Sequence, residues 1–365
     1  MSGCIAEQHP LAVDLCHLMR LSDDVGLLEH ASYDQPRREH GYCVDDNARA
    51  VIVAERELGR SDSAAHLFTR CLTFVLDAQT LDGRFHNRRT SDGGWSDEPG
   101  TGDHWGRALW ALGRVASRTS HATTGRVRDA FLRGAQHRSQ HPRAMAYAAV
   151  GAAELLAGTP SAREAAVARE VLADAVATIG RPRPDDGWPW PWPRLTYANA
   201  RLPEALIAAG VVMHDGTAVA DGLALLRWLA ATETSSSPLP RDAGRTDGEQ
   251  PGGHMSFTPV HGWAHGEPRP GFDQQPIEAW AMADAAARAL HATGDPGWQV
   301  LLDRCADWFE GVNDTGIPLR HADTCGGCDG LTAERRNENQ GAESTLALIG
   351  TMQRARETRM ASLIS

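Results

Sequence analysis

The chain has 365 residues, 42% hydrophobic and 23% charged, ordinary values for a globular protein that buries a large core, which excludes disordered, collagenous and disulfide-scaffold classes. A formal charge of −11 argues against a protein that tracks nucleic-acid phosphates. No stretch approaches the ~18 consecutive apolar residues of a membrane span.

The opening Met1 to Gln8 shows no basic segment followed by an apolar one, so no secretion signal is expected there. Seven cysteines at scattered spacing fit reduced thiols, and a cytoplasmic protein is expected. Half of the 22 aromatic residues are tryptophan.

Long Ala- and Leu-rich segments dominate, and period-two runs of Val, Ile and Thr are nearly absent, which predicts helices. In chain order, two kinds alternate. Amphipathic helices are expected near 10–21, 62–79, 124–137, 161–180, 216–232 and 295–311. The capping box Ser161…Glu164 opens the fourth. Asp295 as N-cap and Pro296 at the first helical position open the sixth, whose stripe is Trp298, Leu301, Leu302, Cys305, Trp308 and Phe309. Helices apolar on nearly all sides begin near Asp46, His104, Ala144, Ala205, Gln274 and Ser344. Six hairpins whose apolar helices are buried by amphipathic ones predict an all-α, closed (α/α)6 toroid. One domain spanning 1–365 is expected, with the last ~10 residues as a tail.

Several outer-to-inner links are long and polar: 80–103, 181–199, 234–273 and 313–339. Loops of this length are functional or disordered, so the face at the inner-helix N-termini is the place for a site. The helix mouths carry Gly41-Tyr42-Cys43-Val44-Asp45-Asp46-Asn47-Ala48-Arg49, then Asp97-Glu98 through Asp103-His104-Trp105-Gly106-Arg107. The third mouth, Pro142-Arg143-Ala144-Met145, is short and poor in chemistry. Next come Asp185-Asp186-Gly187-Trp188-Pro189-Trp190-Pro191-Trp192 with Tyr197, Asn199 and Arg201, then Asp273-Gln274-Gln275-Pro276-Ile277-Glu278, and finally Asn337 through Glu343.

Taken singly, Asp45, Asp103, Asp273 and Asn339 read as N-caps. Capping does not account for the i,i+4 partners Asp45/Arg49, Asp103/Arg107, Gln274/Glu278 and Asn339/Glu343. Polar groups one turn inside an apolar helix need a partner, solvent or a ligand. Planar bidentate side chains beside tryptophans suit a sugar, which offers hydroxyls and an apolar C–H face. Trp95, Trp188, Trp190, Trp192 and Trp263 fall in the long loops, where a hydrophobic lid is the alternative reading. The residues expected to bind substrate are Tyr42, Asp45, Asn47, Arg49, His104, Arg107, Trp188, Trp190, Tyr197, Asn199, Arg201, Asp273, Gln274, Gln275, Asn339, Gln340 and Glu343.

Glycoside cleavage needs one protonated and one ionised carboxyl group. Asp46 and Asp103 at helix N-termini suit the base, because the helix dipole favours the ionised form. Glu278, one turn inside an apolar helix, suits the acid, because desolvation raises its pKa. Cys325-x-x-Cys328 lacks a second pair, and His254, His261 and His265 read as a solvated loop; no metal, cofactor, nucleic acid or membrane partner is expected.

The segments from Asp23 to Ala31, Gly41 to Ala50, Phe272 to Ala279 and Asn339 to Thr345 resemble a bacterial family of the six-hairpin glycosidase superfamily. Its members occur alone or fused behind a GT-B glycosyltransferase. The resemblance implies an (α/α)6 toroid and a role in glycan metabolism, and a glycosyltransferase is a candidate partner beside the oligosaccharide or sugar substrate. It does not imply glycosyltransferase activity, since a wholly helical chain has no room for paired Rossmann domains. The expected function is a glycoside hydrolase or phosphorylase acting on oligosaccharides. The alternatives are a sugar isomerase or epimerase using His104 and His30, a non-catalytic glycan-binding partner of a glycosyltransferase, and a structural scaffold.

Overall fold

The computed structural model describes residues 13–118, 124–184, 187–237 and 253–362. Among these, twelve α-helices follow in order: α1 (Cys16–Arg20), α2 (Val44–Arg56), α3 (Asp62–Asp77), α4 (Asp103–Ala116), α5 (Thr124–Gly134), α6 (Pro142–Ala157), α7 (Ala162–Ile179), α8 (Arg201–Met213), α9 (Gly216–Thr232), α10 (Pro276–Thr293), α11 (Gly297–Phe309) and α12 (Ala342–Ser362). The even-numbered helices pack in sequence, α2 on α4, α4 on α6, α6 on α8, α8 on α10 and α10 on α12, and α12 returns to α2. The odd-numbered helices pack outside their neighbours, with α1 against α12. This is the (α/α)6 toroid.

The inner ring closes because its residues are small. In α6 the residues from Ala144 through Ala153 are buried, which suits a helix covered on all sides. The backbones of α4 and α6 touch: a Cβ on Gly106 would lie 2.2 Å from the Ala144 carbonyl oxygen, and one on Gly113 2.1 Å from that of Gly151. No side chain fits there. Outer helices bury one stripe, as in α7 with Ala168, Val171, Leu172, Ala175 and Ile179. Each large aliphatic side chain so buried contributes about 1.5–3 kcal/mol. The α7 capping box forms: Glu164 N–H donates to Ser161 Oγ at 3.3 Å, and Ser161 N–H to Glu164 Oε2 at 2.6 Å.

Two expectations need correction. The first outer helix spans only Cys16–Arg20 of the expected 10–21, of which residues 10–12 lie outside the described ones. Residues up to Ser362 do not form a tail, because α12 continues to that point and packs on α10 and α2, and residues 363–365 lie outside the described ones. The long loops are pinned by two-residue antiparallel ribbons, among them Tyr42–Cys43 with Arg88–Arg89, Arg194–Leu195 with Trp263–Ala264, and Gly330–Leu331 with Arg336–Asn337. No described helix is long and apolar enough to cross a membrane.

A network of buried charges links all six inner helices. Asp284 of α10 accepts from Arg56 of α2 at 3.2 Å, Arg201 of α8 at 3.0 Å and Arg354 of α12 at 2.6 Å. Arg114 of α4 joins Glu55 at 2.8 Å and Glu154 of α6 at 3.1 Å, and Arg288 joins Glu154 at 3.0 Å and Glu204 at 3.3 Å. Burial would raise the Asp284 carboxyl, but Arg354, Arg56 and Arg201 outweigh it and hold it well below the usual carboxylate range.

Candidate active site

The first turns of the inner helices converge on one face. Asp45 and Asp46 lie inside the first turn of α2 after an extended Cys43, and Asp103 opens α4; neither helix start has a side-chain cap, nor does that of α10. Asn339 is no cap either, because its Oδ1 accepts the Tyr33 N–H at 2.9 Å. The rim carboxylates at Asp45, Asp46 and Asp103 are thus free to face the mouth of the ring.

Two cavities open there. One of about 610 Å³ is lined by Asp45, Asn87, Asp103, His104, Arg107, Arg143, Trp190, Trp192, Tyr197 and Asn199 among others. The second, of about 490 Å³, is lined by Glu29, His30, Cys43, Asp45, Asp46, Arg49, Arg88, Arg107, Tyr197, Gln275, Asp329 and Glu343 among others. Asp45, Arg107 and Tyr197 belong to both, so the cavities meet at a common wall. Sizes of this order suit small ligands with a few placed polar groups.

The carboxyl groups are tuned in opposite directions. Burial alone would raise Asp45, but Arg107, 2.5 Å from its Oδ1, and Arg49 hold it down to about 2. In Asp46 burial prevails over Arg49, helped by the Glu343 and Glu29 carboxylates, and pushes it up to about 6. The helix dipole expected to keep Asp46 ionised is therefore outweighed. Arg49 clamps two of these groups: Nη1 lies 2.7 Å from Asp46 Oδ1 and Nη2 2.8 Å from Glu343 Oε2. Glu343 is 39% exposed at its side chain, whereas Asp46 is 4% exposed.

The aromatic wall is built by Asp103. It accepts from the Tyr197 hydroxyl and from Arg143 Nη1 at 3.4 Å, while Arg143 lies 3.6 Å over the Tyr197 ring and donates to the Tyr197 carbonyl at 2.7 Å. The third helix mouth, which looked poor in chemistry, supplies this arginine. His104 bonds the Phe85 carbonyl at 3.0 Å. Trp190 is fully buried at the cavity edge and stacks on Trp228. Trp188 belongs to a lid: it packs on Trp228, Trp263 and His265, donates to the Trp192 carbonyl at 2.9 Å and lines neither cavity.

Other expected site residues serve the framework. Glu278 lines neither cavity; its carboxylate accepts the Ala198 N–H at 2.5 Å and the Asn199 N–H at 3.3 Å, which fixes the loop behind Tyr197. Burial and the nearby Glu233 carboxylate do raise its pKa, as expected of a desolvated acid. Asn47 clamps Leu27 through N–H and carbonyl at 2.9 and 3.1 Å, and Tyr42 donates to Asp23 at 2.8 Å. Gln274 joins Phe257, Trp308, Gly271 and Asp314. Gln340 accepts from the Thr324 hydroxyl, and Arg201 belongs to the buried charge network. Asp273 is exposed and lines neither cavity. Asp186 lies outside the described residues.

Sequence reasoning missed Asp329, Glu29 and Arg88. Burial pushes Asp329 up to about 6, and Glu29 is raised by burial although Arg88 opposes it. Ligand atoms of Glu29, Cys43 and Asp46 fall within 4.8 Å of one another, a spacing a metal ion could use. Arg49 on Asp46 and Arg88 on Glu29 compete for those lone pairs, and burial drives the Cys43 thiol well up, so the group reads as a hydrogen-bonded cluster.

Family models and curated protein sequences give no match to this chain. Solved structures do. A D-mannose isomerase superposes with a TM-score of 0.66 at 9% identity, covering 94% of this chain and 95% of that one. Cellobiose 2-epimerase from Bacillus thermoamylovorans gives 0.66 at 8% identity, covering 94% and 96%. An α-1,6-mannanase from Salegentibacter gives 0.59 at 9% identity, covering 93% and 95%. An inactive variant of that mannanase, with two consecutive aspartates changed to asparagine, is in complex with α-1,6-mannotriose. These likenesses are likenesses of fold.

Proposed function

We propose that the protein is a carbohydrate-active enzyme that cleaves a glycosidic bond of an oligosaccharide, by hydrolysis or phosphorolysis, beside the wall shared by the two cavities. The observation that carries this reading is the Arg49 clamp, which holds a buried Asp46, its pKa pushed up to about 6, and a half-exposed Glu343 on one cavity lining. Two carboxyl groups in unlike environments are what acid and base roles require. Asp46 protonates the leaving oxygen, Glu343 takes the proton of the attacking acceptor, and the ionised Asp45 offsets positive charge at the anomeric carbon. Trp192, half-buried on the cavity lining, offers its ring to the sugar's C–H face, and Asp103 positions Tyr197.

The test is chromatography of an oligosaccharide panel incubated with the protein, with and without phosphate. Release of a free sugar or sugar phosphate is expected, falling about 100-fold or more in Asp46→Asn and in Glu343→Gln. Absence of any product with the unmodified protein, or full rates in both variants, would overturn the reading.

A specific observation favours one alternative, a sugar epimerase or isomerase. His30 lines the carboxylate cavity, and burial with His40 nearby lowers its pKa, so it is a neutral base. That reaction would move solvent deuterium onto a sugar carbon without releasing any sugar, which the same incubations in D2O report.

A further inference from the structure

The carboxylate cavity has no arginine to spare. Arg49 is engaged by Asp46 and Glu343 at 2.7 and 2.8 Å, Arg107 by Asp45 at 2.5 Å, and Arg88 by Glu29. One more carboxyl group faces the same space. Asp329 makes no ion pair among the described residues and is met only by the Gly341 N–H at 2.8 Å and the Ser344 hydroxyl. His30, the one other basic side chain on this lining, is kept neutral by burial and by His40. Five carboxyl groups thus face three guanidinium groups, and with Asp46 holding the proton it donates the surplus is the one charge on Asp329. An anion entering here would meet cations already neutralised and a carboxylate that nothing neutralises. At an effective dielectric near 20, one such opposed charge at about 5 Å weakens binding by a factor of ten or more.

We propose that this cavity takes an uncharged glycosyl residue and excludes phosphate, so that the acceptor in its cleavage is water and the enzyme is a hydrolase of neutral glycans. This rests on the glycosidic reading above. Counted overall, the bond between the anomeric carbon and the leaving oxygen breaks with its electron pair going to oxygen. That oxygen receives a proton from Asp46. The oxygen of water bonds to the anomeric carbon and its proton passes to Glu343, and solvent restores both carboxyl groups.

The experiment is calorimetric binding to the unmodified full chain of glucose, mannose and galactose, of their three uronic acids and of inorganic phosphate. At least one neutral hexose is expected to bind saturably, its uronic acid at least about tenfold more weakly, with no phosphate binding. Asp329→Asn is expected to narrow the hexose-to-uronate ratio about tenfold, because it removes the unneutralised charge. A uronic acid or phosphate that binds as well as the hexose, or no hexose binding at all, would overturn the proposal. The hexose preference without oligosaccharide cleavage would leave the charge selection standing and sink the glycosidic reading instead.

Discussion

The buried charge network and the rim cavity are made of the same residue types, arginines and carboxylates, yet they are balanced differently. In the network Asp284 sits among three arginines and is held well below its ordinary pKa, and Glu154 is shared by Arg114 and Arg288 and held down to about 2. At the rim Asp46 and Asp329 are both pushed up to about 6. Between the regions stands Tyr147, with Arg107 of the rim 4.7 Å from its ring and Arg201 of the network 4.9 Å away. A charge neutralised on every side ties helices together. A carboxyl group left short of cations binds its proton more tightly, so it can serve as an acid near pH 6 and stands as an unneutralised charge above it. The first is a structural arrangement and the second a chemical one.

Removing one charge from each region breaks the comparison most directly. Asp284→Ala leaves Arg56, Arg201 and Arg354 buried without their shared partner, and stability should fall by about 3–5 kcal/mol in denaturant melts. A loss under 1 kcal/mol would mean that water already screens the network. Asp46→Asn should do the reverse: a rate loss of about 100-fold or more, with stability unchanged or slightly raised, since the amide no longer repels Glu343 and Glu29.

The two regions should also have opposite pH signatures. Asp284 has a folded-state pKa below its unfolded value near 4, so its contribution is present above that pH and is lost as the pH falls through the folded value. Asp46 and Asp329 have folded-state values above the unfolded one, so the folded chain binds their protons more tightly. Their contribution is complete below pH 4 and is lost as the pH rises to about 6. Asp46→Asn should therefore flatten the stability decline between pH 4 and 6. The rate should fall above about pH 6 as the acid ionises. A rate still rising between pH 6 and 8 would assign the acid role to another group.

The framework was legible in the sequence because each inner helix carries its own evidence. Ala144 to Gly151 cannot be amphipathic, and alternation with stripes such as Trp298 to Phe309 implies a closed double ring. The mouth of α2 was legible for the same reason, since Asp45, Asp46 and Arg49 crowd a single turn. Asp329 was not. It stands in a loop, 283 positions from Asp46, and only ring closure between α12 and α2 brings them to one cavity. Arg143 looked empty of chemistry because its partners, Asp103 and Tyr197, lie 40 positions before it and 54 after. The ribbons that pin the loops are two residues long and leave no periodic trace.

Glu278 shows how burial can be read correctly from sequence and its use misread, and it gives the subtlest test. Its place on an apolar helix foretold desolvation, but the groups that use its oxygens are the backbone N–H donors of Ala198 and Asn199, about 80 positions away. Glu278→Gln keeps one acceptor oxygen and turns an amide toward a donor, a mismatch of about 1–2 kcal/mol that relief of Glu233 repulsion partly offsets. Net stability should change by less than about 1 kcal/mol. Because the loop it holds carries Tyr197, KM should rise severalfold while kcat stays within about twofold, the pattern of lost positioning rather than lost chemistry. A collapse of kcat with KM intact would return Glu278 to the reaction itself and require that the loop open enough to bring substrate to it.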